Sequence, residues 1–264
     1  MKLEILHCPP PDGAGTHTPL LFVHGSYCAA WIWAERFMPW FAARGYPCHA
    51  VSLRGHGRSG GSLSDASLAD YVEDVASAAA GLDAPPVVIG HSMGGLVVQH
   101  HLMRHPAMGG ILLASLPPSG LSASALHMSM FSPDVLFQLG LLQSVGPSMV
   151  SPSVVHRAFF SAGTPPEAVA RLLPRLQEES PRVTLDLLCP PEPRAVPGRA
   201  RPPLLVVGGD ADLFLPVSAF TDTADHYGGD LNILPGAPHG LMLDDVWWRP
   251  TAEIMLSWLD RQGL

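Results

Sequence analysis

The chain has almost no lysine. One of its 264 residues, Lys2, is a lysine, and the other basic residues are arginines scattered singly. A nucleic-acid-binding face needs clustered Lys and Arg against phosphates, so this composition excludes a nucleic-acid partner. Charge of either sign is scarce, at 14 % of residues with a net charge of −8, while 47 % are hydrophobic. That balance excludes global disorder and supplies a large core. Paired cysteines are also missing. Cys8, Cys28, Cys48 and Cys189 lie far apart with no CxxC spacing, which reads as free thiols in a reducing compartment, not a zinc site or disulfide framework. No apolar run approaches the roughly 18 residues needed to span a bilayer. Residues 1–7 lack the apolar stretch of a signal peptide. The expected setting is the cytoplasm.

What is present is a rhythm. Short apolar runs at 20–23, 48–53, 87–89 and 111–114 alternate with helix-like stretches at 29–44, 67–81 and 93–105. The 29–44 stretch is read as one helix despite Pro39. Buried strands alternating with helices of this length predict βαβ units and a mostly parallel sheet. The rhythm resumes with strands at 204–207 and 231–234 and helices at 217–227 and 244–259. About seven or eight strands are expected.

Between them, residues 116–202 show no clear strand. Residues 116–203 hold 15 of the 28 prolines, and the clusters between prolines are rich in Leu, Met and Phe at helical spacing. Short helices joined by stiff turns, inserted into one α/β domain, fit this pattern. The expected division is 1–115 and 203–264 as core, with 116–202 as an all-helical cap.

Two serines sit in a GxSxG pattern. Gly57-Arg58-Ser59-Gly60-Gly61 is followed by no helix and reads as a loop. Gly90-His91-Ser92-Met93-Gly94 has a strand before it and a helix after it. A nucleophilic serine needs that sharp strand-to-helix turn, with small residues at −2 and +2 to admit a strained backbone. The turn puts Ser92 at a helix N-terminus, where the Met93 N–H can donate to an oxyanion. The second donor is expected from the loop after strand 20–23, at the Ser26 N–H. His24 beside it reads as a histidine shaping that loop.

A serine needs a base held by a carboxylate. After the strand at 204–207 the loop carries Asp210 and Asp212, and both are candidates. After the last strand, His239 is the only histidine. His226 falls in the preceding helix and reads as a surface residue. His101 and His105 are spaced i, i+4 but have no third ligand, so they read as a surface pair and no metal is implied.

Taken in order, these residues resemble the α/β-hydrolase fold family, in its serine-hydrolase branch with a helical cap. The likeness rests on His24-Gly25, the Arg54-Gly55-His56-Gly57-Arg58-Ser59 loop, the Gly90–Gly95 elbow, Gly209-Asp210-Ala211-Asp212 with Pro216, and His239. It departs at Ser52, where the family often carries Asp. The family places its acid four residues before a proline, which implies Asp212. A serine at position 92 sets the chain apart from the relatives with a carboxylate nucleophile. Lys2 alone cannot supply the buried lysine of a hydroxynitrile lyase.

The expected function is therefore hydrolysis of small to medium, mostly apolar carboxylic esters through Ser92, Asp212 and His239, with no cofactor and the N–H groups of Ser26 and Met93 as oxyanion hole. A C–C bond hydrolase, a lactonase, a thioesterase or a non-catalytic small-molecule binder would carry the same residues. The cap leaves the sheet above Ser92, so Tyr27, Met128, Phe131 and Phe137 are expected to line the substrate pocket. The partner is a small-molecule ester, and the chain is expected as monomer or homodimer.

Overall fold

A computed structural model describes all residues except 12, 14, 16, 194 and 199. In chain order the elements are β1 (Glu4–Cys8), β2 (Leu20–Val23), α1 (Trp31–Ala34), α2 (Phe37–Ala42), β3 (Cys48–Ser52), α3 (Leu68–Ala80), β4 (Val87–His91), α4 (Met93–Arg104) and β5 (Gly109–Leu113). There follow α5 (Ser122–Phe131), α6 (Pro133–Val145), α7 (Pro152–Phe159), α8 (Glu167–Leu172) and α9 (Pro181–Leu188). The chain closes with β6 (Leu204–Gly209), α10 (Val217–Tyr227), β7 (Asp230–Leu234) and α11 (Trp248–Gln262).

The seven strands form one sheet in the order β1-β3-β2-β4-β5-β6-β7. β1 runs antiparallel to β3, and every other pairing is parallel. A strand alternates its side chains between faces, so β2 sends Leu20 and Phe22 to one layer and Leu21 and Val23 to the other. The first layer packs them with Trp33, Phe37, Phe41 and Trp258. The second packs them with Val72, Leu96, Val97 and Phe220. Helices on both faces are why the central strands read as continuous apolar runs.

Three features differ from the sequence expectation. β1 carries no apolar run because it is an edge strand, held by Glu4, which accepts from the Ser52 hydroxyl (2.7 Å) and the Arg58 guanidinium (2.6 Å). The stretch at 29–44 is two short helices. Proline lacks an N–H and its ring would clash with the carbonyl four residues back, so the chain breaks at Glu35–Arg36 and restarts with Pro39 in the first turn of α2. The last helix begins at 248 because Asp244 is used elsewhere. Fully buried, it accepts from the N–H groups of Ser161 (2.6 Å), Val246 (2.8 Å) and Trp247 (3.0 Å) and from the Thr164 hydroxyl (2.8 Å).

Among the described residues the segment between β5 and β6 holds helices and no strand. It is fastened to the sheet domain at a second place. The Gln177 side chain bridges Gly55 and Gly57, the Ser180 hydroxyl donates to the Ala66 carbonyl, and the buried Glu179 accepts from the Tyr71 hydroxyl at 2.7 Å. Among the described residues no helix is long and apolar enough to cross a membrane.

Candidate active site

Ser92 stands between β4 and α4 with φ +53° and ψ −118°. A positive φ in a residue bearing a Cβ is strained. Here neighbouring glycines make it attainable. A Cβ on Gly90 would collide with the Gly94 carbonyl, and one on Gly94 with the carbonyls of Val23 and His24. The turn is pinned by the Ser92 N–H to the Leu113 carbonyl (3.1 Å) and by the Leu116 N–H to the Ser92 carbonyl (3.3 Å). Ser92 stays partly exposed while its neighbours are buried.

The loop after β2 lies against this turn. A Cβ on Gly25 would come within 3.2 Å of the Ser92 Cβ, and the Ser26 hydroxyl donates to the Met93 sulfur at 3.2 Å. His24 is wholly buried. Its Nδ1 bonds the Gly25 carbonyl (2.8 Å) and its Nε2 accepts the Leu53 N–H (3.0 Å). Burial, reinforced by the neighbouring His56, pulls its pKa down to about 3. Both nitrogens serve the loop.

The loop after β6 separates its two aspartates. Asp212 is buried, and its Oδ1 accepts the N–H groups of Phe214 (2.8 Å) and Leu215 (3.0 Å). Its Oδ2 lies 2.7 Å from His239 Nδ1. Asp210 is exposed and accepts the Gly236 N–H at 2.5 Å. An ionised carboxylate only accepts, so Nδ1 of His239 carries the proton and Nε2 is left as a base. The ring is wedged between Phe214 and Phe159, with centroids 4.7 and 5.6 Å away. His91 stands behind it, reaching the His239 carbonyl through Nε2 at 3.1 Å. Burial, and then the nearby His239, hold the His91 pKa well below the ordinary value.

Ser92, His239 and Ser26 open onto one cavity of about 280 Å³. Of the expected lining residues, Tyr27 and Met128 are there. Phe131 and Phe137 are not. Phe131 ends α5 and Phe137 lies in the second turn of α6, and they are 70 % and 64 % exposed. Both helices are apolar on most of their circumference, so the pattern marked no inward face. The positions that do line the cavity from them include Ala125, Leu136, Leu139 and Gln143. Phe159, Thr184 and Phe214 also line it. Only Phe214 had a sequence signal, its place two residues beyond Asp212.

The decoy serine has a different task. Ser59 donates to the Ser52 carbonyl (2.5 Å) and accepts the Glu4 N–H (2.8 Å), tying its loop to two strands. The reading of His101 and His105 as a surface pair is corrected. Their rings stack at 5.0 Å, but His101 is fully buried because α4 is enclosed along nearly its whole length. His226 is exposed on α10.

Comparison with known proteins gives the chain a family. The family model described as "Alpha/beta hydrolase family" matches residues 20–254. A monoacylglycerol lipase of Mycolicibacterium smegmatis is 30 % identical over 237 residues, covering 78 % of each chain. A monoacylglycerol lipase of Paleococcus ferrophilus superposes with a TM-score of 0.69 at 19 % identity, over 99 % of this chain and 100 % of that one. An N-acyl homoserine lactone degrading enzyme superposes with a TM-score of 0.67 at 22 % identity, over 97 % and 96 %. At such identities the structural likeness concerns the fold.

Proposed function

The chain belongs to the alpha/beta hydrolase family, and from that premise we propose that it is a serine hydrolase of small to medium, mostly apolar carboxylic esters. The observation that carries this reading is the buried Asp212–His239 pair opening onto the same apolar cavity as a serine held at φ +53°. The cavity lies between the sheet domain and the helices of 116–202, which we take as a cap over a core of 1–115 and 203–264.

The chemistry follows from the proton positions. His239 Nε2 takes the Ser92 hydroxyl proton as Oγ adds to the ester carbonyl carbon. The negative charge that develops on the carbonyl oxygen is met by the N–H groups of Ser26 and Met93. Asp212 fixes the tautomer of the ring and offsets its positive charge. Collapse of the tetrahedral adduct expels the alcohol, which takes the proton from His239 and leaves the acyl group on Ser92. Water then repeats the sequence, with His239 as base, and releases the acid. No step calls for a cofactor.

Support for an apolar substrate comes from the walls, where apolar side chains, Leu116, Met128, Leu136, Leu139 and Leu187 among them, outnumber polar ones. The test is turnover of nitrophenyl esters of rising acyl length together with labelling by an organophosphonate. Ser92→Ala should lose about four orders of magnitude or more in kcat/KM, while Ser59→Ala stays within a few-fold of wild type if it folds. A single covalent mass should map to the peptide holding Ser92. Labelling at another serine would refute the assignment.

A further inference from the structure

The cavity is not uniformly apolar. Three polar side chains outside the reacting set face it, Tyr27, Gln143 and Thr184, and they are bonded to one another. The Tyr27 hydroxyl donates to Gln143 Oε1 at 2.7 Å. The Thr184 hydroxyl stands 2.9 Å from the same oxygen and is shared with the Ser180 carbonyl at 3.0 Å. The trio draws on three separate parts of the chain: the loop after β2, helix α6 and helix α9.

Tyr27 is held in an uncommon conformation to do this. Its φ is +64°, a left-handed backbone that a bulky side chain rarely adopts and that persists only where surrounding contacts fix it. One such contact is the Gln177 N–H on its carbonyl, at 2.9 Å. Burial pushes the Tyr27 phenol pKa well up, so the hydroxyl stays a donor. A glutamine amide has one acceptor oxygen and two donor hydrogens. With hydroxyls gathered at Oε1, the group that Gln143 has left for a ligand is its Nε2 amide.

We infer that Gln143, set in place by Tyr27 and Thr184, determines specificity for an amphiphilic ester. The apolar body of that ester fills the chamber, and an uncharged acceptor oxygen set apart from the scissile bond receives the Gln143 N–H. Such an oxygen could belong to an ether, a hydroxyl or a second carbonyl, and the neutral amide favours none that carries charge. This deepens the serine-hydrolase reading and rests on it.

The test uses matched aliphatic esters followed by acid release. In each pair one methylene is replaced by an ether oxygen, and the replacement is walked along the acyl arm and then the alcohol arm. The readout is the ether-to-methylene ratio of kcat/KM in a variant divided by the same ratio in the wild type, so intrinsic reactivity and losses of folded enzyme cancel. At one oxygen position Gln143→Leu should lower the ratio about tenfold, the size of one net hydrogen bond. Gln143→Glu keeps acceptor oxygens for the two hydroxyls but has no N–H, and it should lower the ratio at that same position. A ratio unchanged at every position in both variants would overturn the inference. So would a fall spread evenly over all positions, which would report general polarity and not a contact. Absence of Ser92-dependent hydrolysis of either series by the wild type would instead overturn the underlying reading, and the inference with it.

Discussion

Asp212→Asn changes one atom of one buried group, and its effect can be worked from the three groups around it. In the wild type one carboxylate oxygen takes two backbone N–H groups, from Phe214 and Leu215, and the other takes His239 Nδ1–H. Asparagine offers one oxygen and one NH2. If its oxygen stays on the two backbone donors, its NH2 faces Nδ1. That nitrogen must then accept, the ring proton moves to Nε2, and the base is lost on the side of Ser92. If the amide flips, the NH2 confronts two backbone N–H donors, each costing on the order of 1–3 kcal/mol when left unmet. The first arrangement is favoured, so the variant should fold normally with the wrong tautomer. The expected loss is about 10⁴ in kcat, or roughly 5.4 kcal/mol of transition-state stabilisation. Asp210→Asn disturbs one exposed bond to the Gly236 N–H and should cost less than tenfold. The assay is nitrophenyl ester turnover at matched concentrations of folded protein. An Asp212→Asn enzyme within tenfold of wild type, or equal losses in both variants, would refute the reasoning.

Two further outcomes concern stability. Burial pulls His24 to about 3, and burial with the nearby Arg104 pulls His100 to about 4. The unfolded chain, with ordinary histidines near 6.5, therefore binds more protons over that window. Stability is full above about pH 6.5 and is lost as pH falls towards those folded values, with a slope approaching ~1.4 kcal/mol per pH unit for each histidine. Urea midpoints that stay flat from pH 7 to pH 5 would contradict this. Arg54 makes a fork with Asp74, whose carboxylate is 2 % exposed. Arg54→Met should cost about 3–5 kcal/mol by leaving that charge buried, whereas Arg249→Ala, in the exposed pair with Glu253, should cost no more than about 0.5. Equal chemical denaturation midpoints for the two variants would contradict the distinction.

Much of the sheet was legible because its strands are buried on both faces. Leu20–Val23, Val87–Ile89 and Leu204–Val207 are continuous apolar runs ended by glycine or a polar turn, and no helix of that length competes with them. The elbow was legible because Gly90 and Gly94 answer a steric demand that leaves its mark in sequence. The choice between Asp210 and Asp212 needed resemblance, since both sit in one short loop and only the folded turn sends one inward to His239. β1 was not legible, because an edge strand held by the pairs of Glu4 carries no apolar run. The break between α1 and α2 followed from Pro39, whose demand reaches four residues back. The lining of the cavity was least legible. Met128 and Phe131 lie on the same helix, and nothing in that helix's composition says which of them faces inward. The trio of Tyr27, Gln143 and Thr184 is assembled from positions 116 and 41 residues apart in sequence, and no local pattern encodes such a meeting.

The way the helices of 116–202 are fastened bears on how such a protein can diverge. The ties run through Asp244 to Ser161 and Thr164, and through Gln177, Glu179 and Ser180 to the loop after β3 and to α3. None of these residues lies in α5 or α6, which supply much of the chamber wall. Apart from α9, which follows Ser180 and supplies Thr184 and Leu187 to the wall, and the Gln143–Tyr27 bond of α6, fastening and wall are thus written in different stretches of the chain. Inherited changes in α5 and α6 can reshape what the chamber admits while Ser92, Asp212, His239 and the ties stay as they are. A lineage can thereby sample new diets one helix at a time, with the machinery beneath left undisturbed.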